Sequence, residues 1–253
     1  MSTSQSDFKD YFSRQSAVYR QARPGYPDEL FSWLYSLVPS AEAVWDCATG
    51  NGQAAVSLAK YFPRVIATDA SEEQISNAVP HERISYRVAL AEESGLPDSS
   101  VDLITIATAL HWFDFDAFYR EVNRVLKPGG VLAAWTYKDT SVDPGVNAVV
   151  ERLSDEVLKG YWPKEIRYVA NRYNDLPFPF PTIDPPAFRC SMHWTLDQLV
   201  AYFMSWSSTQ NYIAANNSNP LDIVLPDLKK AWGNPDDIRE VTWELVLKAG
   251  RKA

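Results

Sequence analysis

The chain has 253 residues, 46% hydrophobic and 22% charged, with 24 basic against 32 acidic side chains and a net charge of −8. This is an ordinary globular mixture, long enough for one large domain with an insertion and for a core that needs no staples. It excludes disordered and fibrous classes, and the chain lacks the clustered Lys and Arg that neutralise a phosphate backbone, so nucleic acid is not an expected partner.

No apolar run approaches the roughly 18 residues of a membrane span. The opening MSTSQSDFKDYF lacks the basic-then-apolar layout of a signal peptide, and the two cysteines, Cys47 and Cys190, stand far apart. Both features point to a cytoplasmic protein with no membrane partner. The three histidines, His81, His111 and His193, lack zinc-site spacing, so no metal is expected. Nine Trp, thirteen Tyr and eleven Phe imply either dense packing or an apolar substrate cavity.

The first 25 residues read as a helix and loop. Short Val- and Ile-rich strands are then predicted at Ala43–Cys47, Arg64–Thr68, Ile84–Val88, Val101–Ala107 and Val131–Thr136. Helical stripes lie between them, at Ala55, Leu58, Ala59, Phe62 and at Phe115, Phe118, Val122, Val125. Ser71-Glu72-Glu73-Gln74 reads as a capping box opening the helix after the second strand. Strand–helix alternation with right-handed crossovers predicts an α/β, doubly wound, mainly parallel sheet. From Tyr137 to Pro186 no clean strand is visible, and Pro163, Pro177, Pro179, Pro181, Pro185 and Pro186 break any long element. Helical pieces are expected at Val146–Leu158 and Lys164–Asn171. Thr195 and Gln198 suggest a further capping box, followed by a stripe at Leu196, Leu199, Val200 and Phe203. Arg239–Lys248 reads as a terminal strand with Phe188–Trp194 as its partner.

The chemistry concentrates in Val44-Trp45-Asp46-Cys47-Ala48-Thr49-Gly50-Asn51-Gly52-Gln53, a strand running into a two-glycine turn and a helix. Glycine serves where φ is positive or a ligand approaches the backbone. The carboxyl end of a strand in an open α/β sheet is where ligands bind. Asp69 follows Gly50 by nineteen residues at the end of the second strand, where a carboxylate can accept from both hydroxyls of a ribose. Together these predict a nucleoside-containing ligand. Gly50-Asn51-Gly52-Gln53-Ala54-Ala55 also fits the dinucleotide pattern, which leaves an NAD(P)-dependent oxidoreductase open. Asp46 counts against it, since an anion before the turn suits an amino group better than a pyrophosphate, and no Tyr-x-x-x-Lys hydride-site pattern is present.

Further ordered motifs add a resemblance. Asp46-x-Ala48-Thr49-Gly50-Asn51-Gly52, the acid Asp69, Ala91-Glu92 before Leu96-Pro97, Ala109-Leu110-His111-Trp112 at the exit of the fourth strand, Leu126-Lys127-Pro128-Gly129-Gly130, and Tyr19 to Pro27 together resemble class I S-adenosylmethionine-dependent methyltransferases. The small-molecule group that includes trans-aconitate methyltransferase-like enzymes is the most similar. The resemblance implies a Rossmann-like seven-stranded sheet of order 3-2-1-4-5-7-6 with strand 7 antiparallel, and a helical lid inserted. It divides the single domain into a cofactor-covering segment at 1–27, a cofactor-binding core at 28–137, a lid at 138–187, and C-terminal strands with a helix at 188–253.

By the same resemblance the cofactor is S-adenosyl-L-methionine, held by Arg23, Asp46, Ala48, Gly50, Gly52, Asp69, Ala70, Ala91, Glu92 and Thr108. Ala48 replaces the family's first glycine, which is tolerable if its φ is negative. Asp46 either binds the cofactor ammonium or makes local loop hydrogen bonds. His111 is the candidate catalytic base, or else a pocket-shaping residue; an imidazole ordinarily titrates near about 6.5. Tyr11, Tyr19, Trp112, Trp135 and Tyr137 are candidate acceptor-pocket residues, and Asp114 and Asp116 read as helix-start acids. The implied activity is methyl transfer to a small-molecule acceptor, with O-methylation favoured. A cofactor-binding protein without transfer is the alternative, and monomer and homodimer both remain open.

Overall fold

The computed structural model describes residues 24–253. Helix α1 (Asp28–Leu37) follows Pro27 and carries Asp28 and Glu29 in its first turn, where acids complement the helix dipole. Five strand units come next: β1 (Val44–Cys47), α2 (Gln53–Leu58), β2 (Val65–Asp69), α3 (Glu72–Ser76), β3 (Ile84–Val88), β4 (Val101–Ala107), α4 (Phe115–Val125) and β5 (Leu126–Ser141). An irregular stretch carries α5 (Pro144–Arg152), which runs into a π-helical turn at Leu153–Val157, and then α6 (Ile166–Ala170). The chain returns through β6 (Thr182–Ile183) and β7 (Phe188–Trp194). It then forms α7 (Leu196–Met204), α8 (Ser207–Asn216) and α9 (Leu221–Trp232), and ends in β8 (Arg239–Arg251).

The sheet runs β3-β2-β1-β4-β5-β8-β6, with β7 also paired to β8. The first five strands are parallel, and β8 is antiparallel to β5. Both β6 and β7 pair with β8 along the edge that β5 leaves open, opposite Ala249–Gly250 and Arg239–Leu245. They fill one strand position between them, so the expected order holds with its sixth place split. Pro185 and Pro186 lie at the split, and proline cannot donate to a ladder.

The strands β1 and β4 are buried along their length, and their side chains alternate between two layers. Val44 and Leu103 pack with Leu30, Phe31 and Leu58 of α1 and α2; Trp45, Cys47, Ile104 and Ile106 pack with Phe118, Val122 and Val125 of α4. Burial on both faces makes such strands read as continuous apolar runs, which is why the sequence displays them. The carboxyl ends of β1, β2 and β4 lie side by side along one edge of the sheet. No helix among the described residues is long and apolar enough to cross a membrane.

The capping box at Thr195 forms in full, whereas at Ser71 only the cap-to-backbone half forms, because the Ser71 N–H is taken by Asp69. Ser71 Oγ accepts from Gln74 N at 3.3 Å, and Gln198 Oε1 accepts from Thr195 N at 2.9 Å. Three features depart from the sequence reading. Strand β5 continues to Ser141 and β8 to Arg251, because they pair with each other from Val131↔Arg251 to Ser141↔Thr242. Strand β6 is two residues long and leaves no periodicity. Two further helices, α8 and α9, follow α7, which was the one helix expected there; Pro226 inside α9 masks its pattern.

Candidate functional site

The glycine turn and Asp69 meet directly. Gly50 N donates to Asp69 Oδ2 at 2.8 Å, and Ser71 N donates to Oδ1 at 2.9 Å. Each carboxylate oxygen is thus fixed by a backbone N–H, which orients a half-buried anion at the end of β2. Gly50 (φ 57°) and Gly52 (φ 88°) both adopt the left-handed conformation that glycine tolerates best. Their surroundings differ. A Cβ on Gly50 would meet only Gln74 Oε1 at 3.8 Å, so its face has room for a ligand. A Cβ on Gly52 would run into the Tyr86 ring. Gly52 therefore makes space for a β3 side chain. Burial pushes the Tyr86 phenol up to about 12, with the Asp46 charge adding to the effect.

Asp46 is fully buried. Thr49 Oγ1 donates to its Oδ2 at 2.5 Å and Thr105 Oγ1 to its Oδ1 at 2.7 Å. Desolvation pushes this carboxyl up to about 6, against the pull of the two hydroxyls and a backbone hydrogen bond from Ala55 in α2. Of the two sequence readings for Asp46, the loop-bonding one describes these contacts. Ala48 has φ 54°, so the expectation of a negative φ is corrected. A left-handed alanine costs about 1 kcal/mol or more, because its Cβ crowds the carbonyl. Ala70, next to Asp69, is partly exposed beside this turn.

The approach to α1 crosses the same edge. Tyr137 Oη donates to Pro24 O at 2.5 Å, and Gln53 Nε2 donates to that oxygen at 3.0 Å. Tyr26 stacks on Tyr137 at 5.4 Å and lies 3.5 Å from Thr108 Oγ1 through its hydroxyl. Arg23, Tyr11 and Tyr19 lie outside the described residues. Trp135 is fully buried against Tyr26 and Phe31, so it belongs to the core and is not a pocket wall as expected. Ala91 is buried, and Glu92 Oε1 accepts from Asp114 N at 3.1 Å, which ties the post-β3 loop to the start of α4. Asp114 caps that helix by accepting from Ala117 N, as a helix-start acid should.

Beyond β4, Thr108 (φ 60°) turns the chain, and its N–H donates to Trp135 O at 2.7 Å. The 3₁₀ turn Leu110–Trp112 then buries His111. His111 Nδ1 lies 2.9 Å from Tyr173 Oη. Tyr173 is fully buried, has Thr136 as a second hydroxyl partner, and sits with Arg172 in consecutive left-handed conformations (φ 57° and 55°). Burial raises its phenol far above the ordinary range. Arg172 pairs with Glu244 on β8 and with Asp139 at 3.7 Å. Ala48, Thr108, Asp139, Arg172 and Tyr173 account for five of the seven left-handed non-glycine residues among those described. Such strain persists only where the surroundings over-determine it, and it collects at functional sites.

His111, Trp112, Thr108 and Tyr137 line a cavity of about 900 Å³ whose opposite wall comes from α5, the π-helical turn, α6 and the α7–α8 junction. The sequence reading did not find Tyr173, Thr105 or Thr136. The positions gave no local signal, because each acts across more than thirty residues of chain.

Comparison with known proteins now bears on this arrangement. The sequence model of a methyltransferase domain matches residues 45–134, from the middle of β1 into β5. A curated methyltransferase of Dictyostelium discoideum is 34% identical over 233 residues, covering 90% of this chain and 89% of its own. The chain belongs to the class I S-adenosylmethionine-dependent methyltransferases. A methyltransferase of Mycobacterium tuberculosis is 32% identical over 206 residues, covering 77% of this chain and 74% of its own. The solved structure of a type II methyltransferase from Anaeromyxobacter dehalogenans is 43% identical, covers 90% of this chain and 97% of its own, and has a TM-score of 0.85. Membership closes the oxidoreductase reading that the glycine pattern left open. The residues fit the family's cofactor on their own geometry: an oriented carboxylate at the end of β2 stands beside an unobstructed glycine face. S-adenosylmethionine is the methyl donor.

Proposed function

We propose that this methyltransferase O-methylates a small molecule in the cytoplasm, with His111 receiving the acceptor proton. When bound, S-adenosylmethionine supplies a sulfonium methyl group, so that an O–C bond forms as the S–CH3 bond breaks and the acceptor hydroxyl loses its proton. Asp69 would hold the ribose. Gly50, Ala48 and Ala70 would border the sugar and the methionine part, Ala91 and Glu92 the adenine, and Thr108 the reacting end. Arg23 is proposed for the cofactor carboxylate on resemblance. Asp46 would act from beneath the turn, holding Thr49 and Thr105 and adding negative potential below a cationic ligand.

The observation that carries this reading is the position of His111. It lies at the exit of β4 and forms part of the cavity wall, and its Nδ1 is held by Tyr173. In the tautomer whose Nδ1–H donates to the Tyr173 oxygen, Nε2 carries the basic lone pair. Holding acceptor and methyl group in line supplies much of the remaining rate enhancement. The stretch 138–187, which builds the far wall together with the α7–α8 junction, acts as the lid. Isothermal titration with S-adenosylhomocysteine tests the donor site, and transfer of labelled methyl to an acceptor tests the reaction. Binding without transfer in a broad hydroxyl panel would overturn the proposed activity.

A further inference from the structure

The cavity beside His111 has two zones. Its inner wall is aromatic: Tyr137, Tyr202 and Trp243 are buried, and Trp112, Trp162 and Trp206 are partly covered. The rings contact one another, with Trp162–Trp206 at 5.4 Å, Tyr202–Trp243 at 5.3 Å and Tyr202–Trp206 at 5.8 Å between centroids. Two indole N–H groups are spent on the protein. Trp162 Nε1 donates to Ser154 O at 3.1 Å, and Trp243 Nε1 to Thr140 Oγ1 at 2.9 Å. These two side chains therefore offer ring carbon to a ligand.

Charge lies at the mouth. Among the described residues the cations on the wall are Lys138, Lys159, Lys164 and Arg167. The last three are exposed, and Lys138 is paired with Asp139 at 2.9 Å. Arg172 is committed to Glu244 and Asp139. A carboxylate taken into the aromatic zone would lose its hydration with no buried cation among the described residues to replace it. A neutral ring system meets no such cost and gains offset or edge-on ring contacts. A volume of about 900 Å³ lies at the upper end of the small-molecule range, so a body of two or more fused rings fits.

Resting on the methyltransferase reading above, we propose that the acceptor is a neutral, flat aromatic molecule whose hydroxyl faces His111 and whose ring body occupies the Trp162–Trp206 end of the cavity. An uncharged hydroxyl needs a proton acceptor, whereas an ionised carboxylate does not. The aromatic wall and the histidine thus select the same acceptor class from independent sides.

The test compares 2-naphthol with 2-naphthoate at pH 7, one ring body with and without charge. Equilibrium dialysis measures both, with and without saturating S-adenosylhomocysteine, whose own binding is measured separately by calorimetry. The expected result is 2-naphthol binding at least tenfold tighter. Trp162→Ala or Trp206→Ala should weaken it about tenfold, with S-adenosylhomocysteine affinity unchanged. Trp162→Phe and Trp206→Phe, which keep a ring, should lose less and serve where the alanine variants fold poorly. Equal or tighter binding of 2-naphthoate, or 2-naphthol affinity indifferent to all four variants, overturns the proposal. So does binding of neither probe to protein that retains S-adenosylhomocysteine. Loss of S-adenosylhomocysteine binding itself strikes the functional reading instead, and the dialysis without it still decides the acceptor class.

Discussion

The two walls of the site are built in different ways. On the sheet side, the cradle of Gly50 and Asp69 is made by backbone: a strand end, a left-handed turn and two N–H donors on one carboxylate. On the insertion side, the wall is made by side chains that meet only through tertiary packing, such as Tyr173 against His111 and Trp162 against Trp206. Backbone-built sites depend on residue type at fixed local spacing, and side-chain-built sites depend on which distant elements dock. The first wall fits a constant donor, and the second can be rebuilt for different acceptors on the same sheet.

Substitutions should separate the walls by what they change. His111→Ala is expected to lower turnover of an aromatic hydroxyl by about a hundredfold or more, the usual scale of a lost general base, with S-adenosylhomocysteine affinity intact. Unaltered turnover would remove His111 from the chemistry. Asp69→Ala acts on the other wall, and calorimetry should show S-adenosylhomocysteine affinity reduced ten- to a hundredfold. A charged hydrogen bond is worth about 1.5–3 kcal/mol. Affinity within twofold of the parent would contradict the ribose role.

Asp46 gives a pH signature. Its folded carboxyl titrates at about 6, above the ordinary value near 4, so the folded state holds the proton more tightly. Its contribution to stability is therefore present at low pH, falls as pH rises from about 4 to about 6, and stays lost above that. The cost is about 3 kcal/mol. Urea unfolding of Asp46→Asn across that window should show the decline removed; a parallel decline in both proteins would assign it to other groups.

Tyr173→Phe removes one hydroxyl from the insertion wall. A drop of roughly tenfold in kcat is expected, matching the loss of one hydrogen bond of about 1–1.5 kcal/mol. KM and S-adenosylhomocysteine affinity should hold, and the pH profile of kcat should move. A change in KM alone would indicate that Tyr173 shapes the cavity without orienting the imidazole. The smallest effect belongs to Ala48→Gly, where relief of a left-handed alanine is offset by greater freedom in the unfolded chain. Thermal denaturation should change by about 1 kcal/mol or less, in contrast to Ala48→Val, which should destabilise clearly.

The sequence by itself determined the strand–turn–helix at residues 44–58, the Asp69 partner, the parallel sheet and the terminal strand pair. Each follows from local periodicity, or from a spacing that the chain enforces over a few residues. It also exposed His111, through the run of motif around it. Only the tertiary structure decided that Gly52 serves Tyr86, that Asp46 is consumed by Thr49 and Thr105, and that Trp135 is core. It alone brought Tyr173, sixty-two residues away, onto His111. Such contacts are fixed by how whole elements pack and leave no repeat in the chain, because a side chain's partner across a sheet or an insertion is set by docking and not by its neighbours in sequence.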